Sequence, residues 1–155
     1  MPTPSIRDTV AFVRSAHAGA AVDGKPRWVR ALEVMALLPQ VLPGIQVIHA
    51  DRQVALLRDV LEATAATERD LLRAGFPEPV LEGVVRLSRF DAGLPYLDHL
   101  RAVAASRDLS AMRAAMADLL HEEKFGAAPG GPEAAGARER RRRQGMAVLA
   151  RGLGC

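Results

Sequence analysis

A short run of charged residues inside an apolar stretch is the first feature of this sequence that could carry chemistry. Arg58, Asp59 and Glu62 lie in a stretch, 56–62, whose other residues are all leucine or valine. Because such a stretch is expected to be buried, its charged side chains need partners. Two alternatives follow. Arg58 forms an internal salt bridge with Asp59 or with the distant Asp118, or the charges are what remains of a functional site.

The histidines are the second candidates. His17 lies on the apolar stripe of the first predicted helix, which favours a core or capping role, and His49 precedes a helix start, which favours the surface. Asp118 and His121 are three residues apart and therefore share one helical face. This pair could ligate a metal or simply form a hydrogen bond.

Composition narrows the class of protein. The chain has 155 residues, of which 49% are apolar, enough for one domain with a core. No apolar run reaches the ~20 residues of a membrane span, and the first residues lack the basic and apolar blocks of a signal peptide. The single cysteine, Cys155, excludes an internal disulfide and any multi-cysteine metal site. We therefore expect a cytoplasmic protein without a membrane partner.

The net charge of +3 is divided unevenly along the chain. Residues 137–155 carry six arginines and one acid, whereas residues 1–136 carry 15 basic and 17 acidic side chains. Four of the arginines are consecutive (140–143), and such a run favours polyanions. No aromatic residues are interleaved with them to stack on bases. A nucleic-acid partner is therefore disfavoured, and we expect a basic helix that docks on the domain or on a partner chain.

Helix-favouring residues and apolar spacings of three and four predict an all-α fold. Caps, prolines and glycines place about seven helices, near 5–19, 28–38, 51–64, 67–75, 77–90, 95–106 and 109–124. Asp51 and Thr67 are the predicted caps of the third and fourth helices. No hairpin signal is seen around Asp23 and Gly24.

The predicted organisation is a compact helical bundle over 1–125, a Gly/Pro linker over 126–134 and a basic helix or tail over 135–155. The positive charges of the last segment gather near its helix N-terminus, where they oppose the helix dipole. We therefore expect it to fray unless it docks. The sequence is compatible with a homo-oligomer.

Several motifs follow one another in a recognisable order. Ala-His-Ala-Gly (16–19) precedes Ala-Leu-Leu-Arg-Asp-Val-Leu-Glu-Ala-Thr (55–64) and Asp-Leu-Leu-Arg-Ala-Gly-Phe (70–76). Val-Val-Arg-Leu-Ser-Arg (84–89) and Ala-Asp-Leu-Leu-His (117–121) follow. Together these motifs resemble the HD-superfamily hydrolases of guanosine tetraphosphate (ppGpp), the hydrolase domains of the stringent-response synthetase/hydrolases and their small stand-alone relatives. The resemblance implies an all-helical, HD-like bundle.

The resemblance also implies a metal site that this sequence has altered. The family binds a divalent metal, typically manganese, through two histidines and two aspartates. Here Arg30 and Arg58 stand at the histidine positions, while Asp59 and Asp118 remain. Arginine stays charged and cannot ligate a metal. We therefore expect two guanidinium groups to neutralise the aspartates, with no metal and no cofactor.

Other positions of the family's site are changed or retained. Of the acidic pair that activates water, Glu62 is retained, but its neighbour is Ala63. Ala115 stands in place of a lysine on the nucleotide side. Arg89 and Tyr96 remain where the family touches its ligand.

Three functions follow from these residues. The first is a metal-free, non-hydrolytic or regulatory domain that binds a small anionic ligand. The second is a metal-independent biosynthetic enzyme, in which Glu62 or Asp59 is the acid–base catalyst and the two arginines stabilise negative charge. The third is a residual metal phosphohydrolase in which His17 or His121 joins the two aspartates. The candidate ligand-binding residues are Arg30, Arg58, Asp118, His121, Arg89, Tyr96 and His17.

Overall fold

The computed structural model describes residues 2–22, 24–41, 44, 46–89, 93–126 and 131–154. Its regular structure is almost entirely helical, which confirms the predicted all-α class. Two short strands, β1 (Ala21–Val22) and β2 (Lys25–Pro26), form an antiparallel pair. The helices are α1 (Ile6–Ala16), α2 (Arg27–Ala36), α3 (Leu38–Val41), α4 (His49–Leu57), α5 (Val60–Ala63), α6 (Glu68–Arg73), α7 (Glu78–Leu87), α8 (Tyr96–Ala105), α9 (Leu109–Phe125) and α10 (Gly131–Gly152).

Helices α4 and α9 pack against each other in the middle of the core. Helix α4 also contacts α1, α2 and α7, and α9 also contacts α2, α3, α7, α8 and α10. Their fully buried side chains include Leu56, Leu57, Met112 and Leu119. Burying a side chain of this size contributes about 1.5–3 kcal/mol. The two helices therefore provide the fixed frame on which the candidate site residues are held.

The prediction of a single helix over 51–64 is wrong, because two helices, α4 and α5, are separated by a turn at residues 58 and 59. Helix α4 ends at Leu57 with Arg58 as its C-cap residue, and Asp59 is the N-cap residue of α5 with φ −97° and ψ −4°. Adjacent residues of one continuous helix do not face each other. At this junction the side chains of Arg58 and Asp59 do meet, with Arg58 Nη2 3.0 Å from Asp59 Oδ2.

The sequence predicted that Asp51 is the N-cap residue of α4, and this prediction is wrong. Ile48 is the N-cap residue, and its N–H donates to Asp51 Oδ2 over 3.1 Å. Asp51 is completely buried, accepts from the Ser110 hydroxyl at 2.7 Å and pairs with Arg113 at 2.9 Å. A buried carboxylate needs such partners, and these also tie α4 to α9.

The start of the chain shows one further departure from the sequence prediction. Strands β1 and β2 pair Ala21 with Pro26 and Val22 with Lys25, whereas no hairpin was predicted. Strands of two residues are too short to show alternation, and Gly24 takes the positive φ of +76° that a tight turn favours. Asp23 lies outside the described residues.

The predicted caps elsewhere agree better with the structure. Thr67 caps α6, and its side chain accepts from the Asp70 N–H, as predicted. Helix α7 follows Pro77 and ends at Leu87, whereas the sequence predicted an end near Phe90, which lies outside the described residues.

Helix α10 docks on α8 and α9. The sequence predicted that this helix would fray unless it docks. Leu149 is completely buried, and Gly145 lies against Leu100 and Leu119. The helix begins at Gly131 rather than near residue 135. Because α10 starts earlier than predicted and carries Glu133 in its first turn, the arginines lie beyond the N-terminal turn in which they would oppose the helix dipole. Apolar contacts hold this basic helix in place.

Residues 127–130 of the predicted linker and Cys155 lie outside the described residues. Within the described ranges, no helix combines the length and the apolar character needed to span a membrane.

Two glycines of α10 allow the docking to be tested. A Cβ at Gly145 would lie 2.7 Å from Leu100 Cδ1 and 3.2 Å from Leu119 Cδ1, whereas a Cβ at Gly136 would meet Arg140 Nη1 at an ordinary 3.6 Å. We expect Gly136→Ala to raise the free energy of unfolding by up to about 1 kcal/mol through helix propensity. Gly145→Ala should lower it by about 1 kcal/mol, because overpacking outweighs that gain. Urea unfolding measures both, and equal effects of the two substitutions would contradict the docking.

Candidate functional site

Two arginines and two aspartates meet where α2, the α4–α5 junction and α9 come together. Arg58 Nη2 lies 3.0 Å from Asp59 Oδ2, and Arg58 Nη1 lies 3.0 Å from Asp118 Oδ2. Arg30 Nη2 lies 3.0 Å from Asp118 Oδ1, and Arg30 Nη1 lies 3.9 Å from Asp59 Oδ2. Each guanidinium group bridges both carboxylates. The internal salt bridge predicted for Arg58 is therefore confirmed.

A third arginine completes this cluster. Arg27 Nη2 lies 3.4 Å from Asp59 Oδ2. The side chains range from 14% exposed for Arg58 to 29% exposed for Arg27. The arginine–aspartate network, as we call Arg27, Arg30, Arg58, Asp59 and Asp118, thus holds three positive and two negative charges partly shielded from water.

The network favours the charged forms of Arg58 and Asp59. Burial alone would lower the pKa of Arg58, but the carboxylates of Asp118 and Asp59 outweigh burial and raise that pKa above its ordinary value. Burial likewise opposes the charge of Asp59, yet the surrounding guanidinium groups, with Arg58 foremost, hold the pKa of Asp59 below its usual range. Each charge is therefore stabilised by the opposite charges around it.

This set of residues does not fit a divalent metal ion. The guanidinium groups of Arg30 and Arg58 bridge the two carboxylates, and they repel cations and offer no lone pair. Three of the four carboxylate oxygens of Asp59 and Asp118 already lie within 3.0 Å of an arginine nitrogen. Across the described ranges, no group of three or more His, Cys, Asp or Glu side chains could hold a metal ion.

A cavity of about 190 Å³ opens beside the network. It is smaller than the ~300–1,000 Å³ typical of sites for drug-sized molecules, so it suits a small ligand. Six of the residues predicted from the sequence line it together. The residues that line this network cavity are Arg58, Asp59, Glu62, Leu87, Arg89, Tyr96, His99, Leu100, Ala115 and Asp118.

Arg89 is held at the network cavity from both of its ends. Its backbone N–H donates to Glu62 Oε1 over 2.8 Å, and its Nη2 donates to the Leu94 carbonyl over 2.8 Å. Its guanidinium carbon lies 5.3 Å from the centroid of the Tyr96 ring, within cation–π range. Arg89 Nε is buried and has no hydrogen-bond partner among the described residues. One strong donor at this cavity is therefore left unsatisfied.

Tyr96 lines the same cavity with a phenol that stays protonated. Burial of the side chain, together with the carboxylates of Asp118 and Glu122, raises the pKa of Tyr96 above its ordinary value. The hydroxyl group can therefore donate a hydrogen bond throughout the physiological pH range.

His99 is a lining residue to which the sequence analysis assigned no role. Its Nε2 lies 3.1 Å from the Leu87 carbonyl oxygen, and only 8% of the residue is exposed. Burial, followed by the positive charge of Arg89, lowers the pKa of His99, so the neutral ring donates from Nε2 and can accept at Nδ1. The signal that could have identified it is its position three residues after Tyr96, on the same face of α8.

The structure does not bring His121 to the network. His121 Nε2 lies 3.2 Å from Glu33 Oε1, and its ring lies against Phe125 with centroids 4.9 Å apart. These residues line a different cavity, of about 340 Å³, which also includes Arg30. The sequence predicted that Asp118 and His121 share a metal or form a hydrogen bond with each other. Neither is seen, because Asp118 pairs with Arg30 and Arg58, whereas His121 pairs with Glu33.

His17 is buried at the C-cap of α1, as predicted. Burial lowers its pKa, the Asp59 carboxylate opposes that effect, and the charges of Arg27 and Arg58 add to it. His17 lines a cavity of about 400 Å³ that also includes Trp28. It therefore lies near the network but outside the network cavity. His49, by contrast, is exposed as predicted.

Comparisons of the chain with protein-family models and with curated proteins find no match. Membership of the HD superfamily therefore stays a prediction that depends on the motifs and their order.

The lowered pKa of Asp59 makes stability depend on pH. A free aspartate titrates near pH 3.9, so the contribution of ionised Asp59 is complete above about pH 5 and is lost as pH falls through the folded-state pKa. We expect Asp59→Asn to lower the free energy of unfolding at pH 7 by about 3 kcal/mol, because the arginines lose a partner.

The difference in the free energy of unfolding between wild type and Asp59→Asn should shrink as pH falls from 5 towards 2. Urea unfolding at each pH measures it. Asp98→Asn, at a half-exposed carboxylate on α8, is the matched control and should change stability little at either pH. A wild-type–variant difference that is the same at pH 7 and in acid would contradict the network.

Proposed function

We propose that this chain is a metal-free, non-hydrolytic domain that binds a small anionic ligand in the network cavity. The motif resemblance to ppGpp hydrolases supports a pocket at this position of the helical bundle. The altered residues support a change of chemistry, since the two family histidines are replaced by Arg30 and Arg58.

The single observation that carries the proposal is the state of Arg89. Its guanidinium group lies at the cavity, and its buried Nε has no acceptor among the described residues. A buried donor without an acceptor costs about 1–3 kcal/mol. An anionic oxygen in the cavity would satisfy this donor, and arginine's planar fork suits carboxylate and phosphate oxygens.

Neighbouring groups support an anion rather than a cation. The protonated Tyr96 hydroxyl adds a second donor. The negative charges of Asp59 and Asp118 are already matched by three arginines, which leaves the network with one excess positive charge. Glu62 adds a negative charge on one wall, but one of its oxygens is engaged by the Arg89 backbone N–H. The ligand should therefore be small and should approach from the side of Arg89 and Tyr96.

The network also supports the absence of hydrolysis. In the family, as the resemblance implies, a metal ion activates water; here cationic side chains take its place between the aspartates. A residual metal enzyme would need a rescuing histidine, and His121 is paired with Glu33 instead.

A metal-independent enzyme is less favoured by the same geometry. A general base works best when its pKa lies near the working pH, and the arginines hold the pKa of Asp59 below its usual range. Glu62 lines the cavity, but its Oε1 accepts a backbone hydrogen bond. Binding therefore explains the arrangement better than catalysis.

Titration with inorganic phosphate tests the proposal. We expect wild-type protein to bind phosphate, and Arg89→Gln to weaken binding about tenfold, because a hydrogen bond to a charged group contributes about 1.5–3 kcal/mol. Isothermal titration calorimetry at fixed ionic strength and pH 7.5 measures both affinities.

Arg101→Gln is the matched control for that titration. Arg101 lies on α8, is 59% exposed and pairs with Asp98 three residues earlier in the same helix. Its substitution should leave phosphate affinity unchanged. The proposal fails if the wild-type protein binds no phosphate at millimolar concentration, or if both arginine variants lose affinity equally.

A second experiment restores the ligands that the resemblance implies. The double variant Arg30→His, Arg58→His should retain about one manganese ion per chain after dialysis, because imidazole and carboxylate groups together ligate such metals. It should hydrolyse ppGpp poorly, since Ala63 and Ala115 remain. Elemental analysis and phosphate release are the readouts, and Arg30→Gln, Arg58→Gln is the control that supplies no imidazole. Stoichiometric manganese in the wild-type protein would contradict its metal-free state.

A further inference from the structure

The C-terminal helix brings a second arginine to the ring that Arg89 contacts. The guanidinium carbon of Arg141, on α10, lies 5.6 Å from the centroid of the Tyr96 ring, and that of Arg89 lies 5.3 Å from the same centroid. The two cations therefore cannot be farther apart than the sum of these two short distances. Arg89 and Tyr96 line the network cavity, and Arg141 reaches the same ring without being one of the lining residues.

The position of Arg141 is fixed by the packing of α10. Residues 141, 145 and 149 lie one turn apart on one face of this helix. Gly145 lies against Leu100 and Leu119, and Leu149 is completely buried. The docked face continues towards Tyr96, where the next position is Arg141 rather than an apolar residue. The same contacts that hold α10 in place therefore bring the backbone of Arg141 close to Tyr96, and its exposed side chain reaches the ring.

The other arginines of the run face elsewhere. Arg143 pairs with Glu139 at 2.7 Å, and Arg142 lines a separate cavity near Glu122. Arg140 is exposed, as Arg141 is, but it contacts no aromatic ring among the described residues. The four consecutive arginines thus differ in surroundings although they are identical in type. Arg140 offers a matched control for Arg141, since it adjoins it in the same helix.

Two guanidinium groups beside one ring repel each other. The electron-rich faces of aromatic rings attract single cations, but a second cation nearby works against that attraction. No ion pair of Arg89 or Arg141 occurs among the described residues, whereas Arg143 has one. An anion with two negative charges would relieve this repulsion and could accept from both forks at once.

We propose that Arg89 and Arg141 together clamp a doubly charged phosphoryl group at the Tyr96 edge of the network cavity. The inference rests on the proposed function and deepens it in two respects. It names a dianionic phosphoryl group, free or as part of a larger molecule, as the ligand chemistry. It also makes the basic C-terminal helix a part of the binding site.

The test compares single-residue variants by calorimetry with inorganic phosphate and with acetate, at pH 7.5 and constant ionic strength. Arg141→Gln should weaken phosphate binding about tenfold, while Arg140→Gln should change it less than twofold. Binding of singly charged acetate should respond much less to Arg141→Gln, because one arginine suffices for it. A phosphate monoester such as glycerol phosphate distinguishes the two sources: equal affinity indicates free phosphate, and tighter binding indicates a larger phosphorylated molecule.

The outcomes separate this inference from the proposed function. If Arg89→Gln weakens phosphate binding while Arg141→Gln and Arg140→Gln behave alike, the clamp is wrong and the anion site stands. If wild-type protein binds no phosphate, both are wrong. Thermal unfolding of each variant without ligand provides the further check: an Arg141→Gln variant that loses stability but keeps its phosphate affinity shows that Arg141 only docks the helix, and this overturns the clamp.

Discussion

The carboxylates of Asp59 and Asp118, from distant parts of the chain, lie close enough to share the same cations. Two carboxylates at 17% and 15% exposure repel each other strongly unless positive charge lies between them. Arg58 and Arg30 provide that charge by bridging both, and Arg27 adds to it. The network thereby joins α2, the α4–α5 junction and α9, whose α4–α9 frame is set by apolar packing.

The same interaction shapes the chemistry of the cavity beside it. Because the arginines pair with the aspartates, three of the four carboxylate oxygens that could ligate a metal are already engaged. The polar lining residues outside the network are Arg89, Tyr96 and His99, which come from α8 and from the chain after α7, and Glu62 of α5. Two of them offer donors, since the Tyr96 hydroxyl is protonated and Arg89 Nε has no acceptor among the described residues.

Much of this arrangement could be predicted from the sequence. The all-α class, the cap at Thr67 and the pairing of Arg58 with acidic residues all followed from local patterns and from the need to match buried charge. The break between α4 and α5 could not be predicted, because the apolar spacing of residues 51–64 is that of one continuous helix. The small β1–β2 pair was missed since two residues per strand leave no alternating pattern.

The sequence by itself determined which residue types are present and which helices are apolar on one face. Only the tertiary structure decided which of those residues meet. His121 seemed a partner for Asp118 by spacing, yet it pairs with Glu33 of α2, while Asp118 pairs with Arg30 of the same helix. Arg141 seemed one of four equivalent charges, yet the docking of α10 brings its backbone close to Tyr96, and its exposed side chain reaches the ring. The reason is that spacing along the sequence determines which face of a helix a side chain lies on. Which residues that side chain contacts depends on how helices distant in sequence pack against one another.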